Sequence, residues 1–413
     1  MKPLVAFLLA FAPQEPAPVP RDEIVERELA RIEYALVALR NAGEDAALRE
    51  RAVQAIEQAV TALRALRASR ARAEGTPEPF DLPEGPWVDP ALVGARPPFA
   101  RVLEYDFGHD PHKEGWYTLE SVDLAGRQRG VGVVQSHYHG TDGRPLAWTN
   151  VRVRGALDSD GAPRSRWGVI AFDVEGWSFV RCTFRDIPDE HGLYLTTLGG
   201  FRFERCLFAE IGSQAIQIVG AVPGTPREVQ TAHRADWRAY SSARAGETHL
   251  VSECVFLEVG KPTGGRPSYA ISAFEGPRNP LRVERSVLRT TRSVRIDGSG
   301  FERDCFGAVM AHQRNRFELV DTYIEYPRGD RDVVQVWHCS DGKPGTPDVV
   351  ITGSRVIANT FVDVRVSEGD TVVVEGNSGS TARLRVSTNP PDTWPGRPGW
   401  DPARILYEGP LTD

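Results

Sequence analysis

Asp189-Glu190-His191-Gly192, followed by Leu193-Tyr194-Leu195, brings carboxylates, an imidazole and a phenol into one short segment. In an extended strand Asp189 and His191 project to the same side. A carboxylate beside an imidazole raises its basicity and orients it. Such a unit can take a proton from a carbon next to a carboxylate. The alternative is plain turn chemistry, in which Gly192 fits the bend into the strand.

A second set lies between Ala221 and Thr248, with His233, Arg234, Asp236, Trp237, Arg238 and Tyr240. Trp237 and Tyr240 can stack on sugar rings, and Arg234 or Arg238 can pair with a uronic carboxylate. The competing reading is a flap that seals a groove or the edge of the fold. His137 and His139, with His109, Asp110 and His112 upstream, have spacing that would suit a divalent metal. Surface or packing roles are favoured for them, and no metal or cofactor is expected.

These residues sit in a chain that repeats itself. Phe179-Val-Arg-Cys-Thr-Phe184, Phe203-Glu-Arg-Cys-Leu-Phe208 and Val251-Ser-Glu-Cys-Val-Phe256 share one pattern. Val283–Leu288, Leu319–Ile324 and Ile351–Val356 continue it, so a small residue recurs at Cys182, Cys206, Cys254, Ser286, Thr322 and Ser354. A second run follows each copy, from Gly168–Ala171 and Gly192–Leu195 to Phe361–Val364. Starts at 168, 192 and 215 give a period in the low twenties, and longer gaps are repeats that carry loop insertions. Short strands at that period are the signature of a β-solenoid. Small residues recur at the inward position because like side chains must stack there.

The alignment also sets outward columns. One reads Ile170, Tyr194, Gln217, Ser272, Met310, Gln335 and Asp363. Its neighbour reads Phe172, Thr196, Val219, Phe274, His312, Trp337 and Arg365. A sugar-binding groove needs polar groups and aromatic faces on a rigid wall. Gln217, His312, Gln335 and Trp337 are therefore candidate substrate-binding residues, against the alternative of an ordinary solvated face.

The repeats resemble the right-handed parallel β-helix proteins, the superfold of pectate lyases, polygalacturonases, alginate-modifying enzymes and phage tailspikes. The resemblance covers about residues 130–388 and implies an all-β right-handed parallel β-helix preceded by a helical segment. It does not fix function. Asp189-Glu190-His191 also resembles the Asp-Pro-His segment of mannuronan C5-epimerases and the Gly-His-Gly segment of polygalacturonases. That likeness implies His191 as base or acid, Asp189 as its partner and Tyr194 as a second proton donor. Glu190 stands where the epimerases have Pro, and the aspartate pieces of polygalacturonases are absent. The implied function is an exported β-helix protein that binds or modifies a polysaccharide, of uronate lyase or epimerase type. The alternative is a non-catalytic glycan-binding or structural β-helix.

The remaining segments frame the repeats. Residues 1–20 read as a signal peptide, because the apolar run Leu4–Ala12 is far short of the ~20 residues that span a bilayer. That predicts a secreted, periplasmic or cell-surface protein without a membrane span. In 21–75, Val25, Leu29, Ile32, Leu36 and Leu39 keep a coiled-coil seam, which predicts a helical hairpin or long helix that forms a homo-oligomer. Residues 76–99 read as a Pro-rich linker or strap, 100–388 as the β-helix and 389–413 as a Pro-rich tail. Among Cys182, Cys206, Cys254, Cys305 and Cys339, the three in the inward column are expected as stacked free thiols, with a disulfide as the alternative.

Of 413 residues, 41% are hydrophobic and 25% charged, which excludes wholesale disorder. The net charge of −7 disfavours nucleic acid as a partner.

Overall fold

The computed structural model describes residues 21–41, 45–59, 80–105, 115–126, 133–137, 145–155, 167–174, 176–187, 190–197, 199–220, 247–260, 268–274, 279–291, 294–295, 302–303, 307–312, 316–327, 332–339, 348–367, 369–388 and 404–412. It divides into two units, Met1–Ala73 and Glu74–Asp413. In the first, Arg21–Asn41 and residues 46–59 are helical. Ala35, Ala52 and Ala59 are buried, whereas Leu29, Leu36 and Val37 of the expected seam region stand half exposed. Among the described residues, no helix is long and apolar enough to cross a membrane.

Among the described residues, the second unit is built of β-strands in three large sheets of nine, nine and ten strands, with a small antiparallel pair of Val294–Arg295 and Glu302–Arg303. The first sheet runs from Arg101–Tyr105 to Arg355–Ala358, the second from Thr118–Glu120 to Val372–Glu375, and the third from Val134–His137 to Arg404–Pro410. One repeat contributes Leu193–Thr197 to the third sheet, Arg202–Glu204 to the second and Leu207–Ile211 to the first. Apart from the last strand of the third sheet, each strand pairs in parallel with its counterpart one repeat on, as in Leu193↔Ile216, Phe203↔Val251 and Phe208↔Phe256. Stacked parallel sheets of this kind are consistent with a β-helix.

Alternation along each strand sends one set of side chains into a single apolar core shared by the three sheets. In-register pairing lays like on like there. The Phe179 and Phe203 rings stack at 4.8 Å, Phe184 and Phe208 at 5.1 Å, and Phe208 and Phe256 at 4.6 Å. Between the second and first sheets the chain bends sharply at one residue per repeat. Ser121, Asn150, Arg181, Arg205, Glu253, Arg285 and Asp321 all have φ between 46° and 55° there. The left-handed conformation costs a non-glycine residue on the order of 1 kcal/mol, so the stack must hold it. Gly353 takes the same corner, where a Cβ would lie 2.1 Å from Asp321 Oδ1 and would displace that carboxylate.

The residue after each bend is the small one seen in the sequence. Ser286 Oγ donates to Glu284 O at 2.8 Å and accepts from Cys254 N at 3.0 Å. Thr322 and Ser354 donate to Val320 O and Thr352 O in the same way. Cys206 and Cys254 place their Sγ 3.4 and 3.3 Å from Glu204 O and Ser252 O, so the thiols occupy the hydroxyl position. Cys182, Cys206 and Cys254 are free and buried, and burial pushes the Cys182 and Cys254 thiols up.

The Pro-rich segment is a strap rather than a free linker over 80–99. Val88 N bonds Arg285 O, Gly94 N bonds Arg205 O, and Ala95 N bonds Thr183 Oγ1, so the strap crosses successive repeats of the first sheet. Trp87, Val88 and Val93 cover the outward apolar residues Leu207, Val255, Val287 and Tyr323. Part of the expected tail also joins the fold. Arg404–Pro410, with Ile405, Leu406 and Tyr407, pairs antiparallel with Arg383–Thr388 and is the outermost strand of the third sheet.

Phe208 lies between two stacked rings, so Phe208→Ala is expected to lose about 3–5 kcal/mol in urea unfolding. A loss below 1 kcal/mol would mean that the ring stack is not tightly packed. His249 is fully buried against Phe201 with neither ring nitrogen hydrogen-bonded, and burial lowers its pKa from 6.5 to about 3. Between these values the unfolded chain holds the extra proton, so stability should rise with pH, by up to about 1.4 kcal/mol per unit from this group. His249→Phe should flatten that slope in denaturation midpoints measured from pH 4 to 7. An unchanged slope would contradict the buried neutral imidazole.

Candidate functional site

The outer face of the third sheet gathers most of the described candidates. Strand register confirms the first column as Ile170, Tyr194, Gln217, Ser272, Met310, Gln335 and Asp363, and extends it to Arg385. His312, Trp337, Arg365 and Ser387 align beside it. The face is not an open solvated surface, since Ile170, Ser272, Met310 and Asp363 are all buried.

At one end, His191 precedes the strand Leu193–Thr197. Its Nδ1 lies 3.2 Å from Glu190 Oε2, at ion-pair distance but without hydrogen-bond alignment. Its ring meets Tyr194 edge to face at 5.6 Å. Glu190, which departs from the epimerase pattern, is thus one carboxylate beside the imidazole. Asp189 lies outside the described residues. Gly192 has its own structural reason, because a Cβ there would sit 2.7 Å from Ala215 O.

At the other end, Asp363 is fully buried. Its Oδ2 accepts from Trp337 Nε1 and from Arg365 Nε, each at 2.9 Å. Arg365 lies over the Trp337 ring at 4.4 Å. Arg385 Nη1 is 3.9 Å from Asp363 Oδ1. Gln335 and Trp337 lie two residues apart on the strand Val334–Cys339, and the backbone places His312 next to Trp337 in the sheet.

The two ends do not converge. The rows from Tyr194 through Gln217, Ser272 and Met310 to Gln335 are four strand spacings apart, ~19 Å at ~4.8 Å each. Between and beyond them, Thr196 Oγ1, Ser272 Oγ, Asp363 Oδ1 and Ser387 Oγ are buried without a hydrogen-bond partner. Buried polar atoms are normally paired, by protein or by a bound molecule. All four atoms are sealed from solvent, so a ligand on the outer face does not reach them as the side chains stand. Ser272, Asp363 and Arg365 were legible in the columns but not singled out as site residues. Arg385 lay one repeat beyond the columns read.

Arg234, Trp237, Arg238 and Tyr240, with His109, Asp110, His112 and His139, lie outside the described residues. Among the described residues no cluster of His, Cys, Asp or Glu is arranged to hold a metal. A separate groove of about 560 Å³ lies over the second sheet, lined by Trp177, Phe201, Arg202, Glu247, Arg282 and Glu284. Its arginines are paired with Glu204, Glu284 and Glu318, and none of the described candidate residues lines it. No protein-family model, curated protein or solved structure matches the chain.

Gly192→Ala is expected to destabilise the fold by about 1–3 kcal/mol through backbone crowding, while His191→Gln leaves the thermal midpoint nearly unchanged. Equal losses from both substitutions would show that His191 is held for packing.

Proposed function

We propose that the chain is a right-handed parallel β-helix, exported from the cell, that binds an acidic polysaccharide along the outer face of its third sheet. The observation that carries this reading is the line of partly exposed aromatic and amide side chains, Tyr194, Gln217, Gln335 and Trp337, that strand register lays along one rigid face. Export rests on the apolar run Leu4–Ala12. The N-terminal helices act as an oligomerising stalk, which the half-exposed Leu29, Leu36 and Val37 support.

On this reading the His191 end carries chemistry of uronate lyase or epimerase type. His191 takes the proton on the carbon next to the substrate carboxylate, and Glu190 stabilises the imidazolium that forms. The electron pair then either expels the neighbouring glycosidic oxygen, protonated by Tyr194, or recaptures a proton on the opposite face. The first route leaves an unsaturated sugar and the second an inverted centre. A glycan-binding role without catalysis is the second reading, favoured by the packing demand that already explains Gly192.

The full chain is to be incubated with alginate and polygalacturonate while unsaturated product absorbance and exchange of substrate hydrogen with deuterated solvent are followed. Turnover by the wild type that falls at least ~100-fold in His191→Gln supports the catalytic reading. Retention on these polymers without turnover replaces it with the binding reading. Neither retention nor turnover removes both.

A further inference from the structure

Cys182, Cys206 and Cys254 hold one inward position on three successive repeats, just before the register pairs Thr183↔Leu207 and Leu207↔Val255. Their sulfurs share one orientation. Each Sγ lies against the carbonyl of the equivalent residue one repeat back, Trp148, Phe179 and Phe203, at 3.4, 3.4 and 3.6 Å. The three sulfurs therefore stand in line along the stack, and Cys206 hydrogen-bonds with both neighbours. Val151 precedes the run and Ser286 follows it, so only these three positions of the column carry sulfur there. One strand spacing, ~4.8 Å between Cα atoms, falls within the roughly 4.4–6.8 Å that a disulfide spans. Side chains that stand parallel strain such a bond, and a strained disulfide is readily reduced. Burial opposes ionisation of all three thiols, while the S–H groups of Cys182 and Cys254 favour it at Cys206.

We propose that this column is a reversible oxidation site for small hydroperoxides, in which Cys206 forms a disulfide with either neighbour and the bond moves between them. The Cys206 thiolate attacks one peroxide oxygen, the O–O bond breaks, and sulfenic acid and water form. Cys182 or Cys254 then attacks the Cys206 sulfur, the S–O bond breaks, and the thiol proton leaves with a second water. Two thiols and one hydrogen peroxide thus give one disulfide and two waters. The remaining thiol lies on the line of the S–S bond, which is the direction from which exchange proceeds. It displaces the first partner, which takes up the proton. All three thiols are sealed in the core, so an oxidant must be near the size of water to reach them. The site is independent of the glycan-binding reading.

The test treats the native full chain with hydrogen peroxide or with oxidised glutathione, alkylates it under denaturation and maps disulfides by mass spectrometry of unreduced tryptic peptides. Arg181 and Arg205 place the three cysteines in separate peptides. Peroxide should give both Cys182–Cys206 and Cys206–Cys254, reversed by dithiothreitol, and oxidised glutathione should give neither. Cys206→Ser should abolish both links, and Cys182→Ser should leave Cys206–Cys254 alone. Serine already fills this position at Ser286 and Ser354, so these variants keep the column's geometry. A single linkage in the wild type keeps the oxidation site and overturns the exchange. Equal reaction with oxidised glutathione overturns the size selection. A Cys182–Cys254 link, or no disulfide at a peroxide dose that oxidises free glutathione, overturns the proposal.

Discussion

Parallel pairing in register is the constraint on which everything else in the β-unit depends. It stacks each position on its own counterpart, so a residue must tolerate a copy of itself one strand spacing away. Aromatic rings meet this by stacking face to face, as Phe184, Phe208 and Phe256 do. Most in-register charged pairs are of opposite sign, with Arg154 against Arg185 as an exception. Asp123 pairs in register with Arg152, Arg282 with Glu318, Arg289 with Glu325 and Asp363 with Arg385. The polar core position meets it with groups that both donate and accept, which is why Ser286, Thr322 and Ser354 follow the thiols in one column.

The same rule explains the bend. A left-handed residue is a local cost, yet the corner recurs from Ser121 to Asp321. Each corner amide bonds the carbonyl of the next repeat, as Arg181 N does to Glu204 O and Arg285 N to Val320 O. The hydrogen bonds along the stack hold each corner in its costly conformation, and the small residue that follows completes the turn. Substituting the corner by size alone would miss the point, since Arg, Glu, Asp and Ser all occupy it.

Much of this was legible because repetition is a long-range signal written in local sequence. The pattern around Cys182, Cys206 and Cys254 exposed the inward column, and counting from it placed the outward columns residue by residue. What stayed hidden was whatever does not repeat. The strap docks on Leu207 and Val255 through contacts that occur once, and proline content alone could not separate a strap from a linker. Glu190 pairs with His191 although neither residue lies in a strand, so strand alternation does not predict this contact. Ser272 was visible in its column, but its burial without a partner is a property of three-dimensional packing.

Register also limits what kind of ligand the outer face can suit. Groups from distant repeats cannot be drawn together around a small molecule, because each is held one strand spacing from the next. The His191 pair and the Arg365 cluster are bound to stay rows apart however their side chains rotate. On the proposed reading, a compact metabolite would reach one cluster and leave the other unused, whereas a polymer could run its own repeat alongside that of the protein. The linear spacing that keeps the two clusters rows apart is then the feature that would suit a polysaccharide.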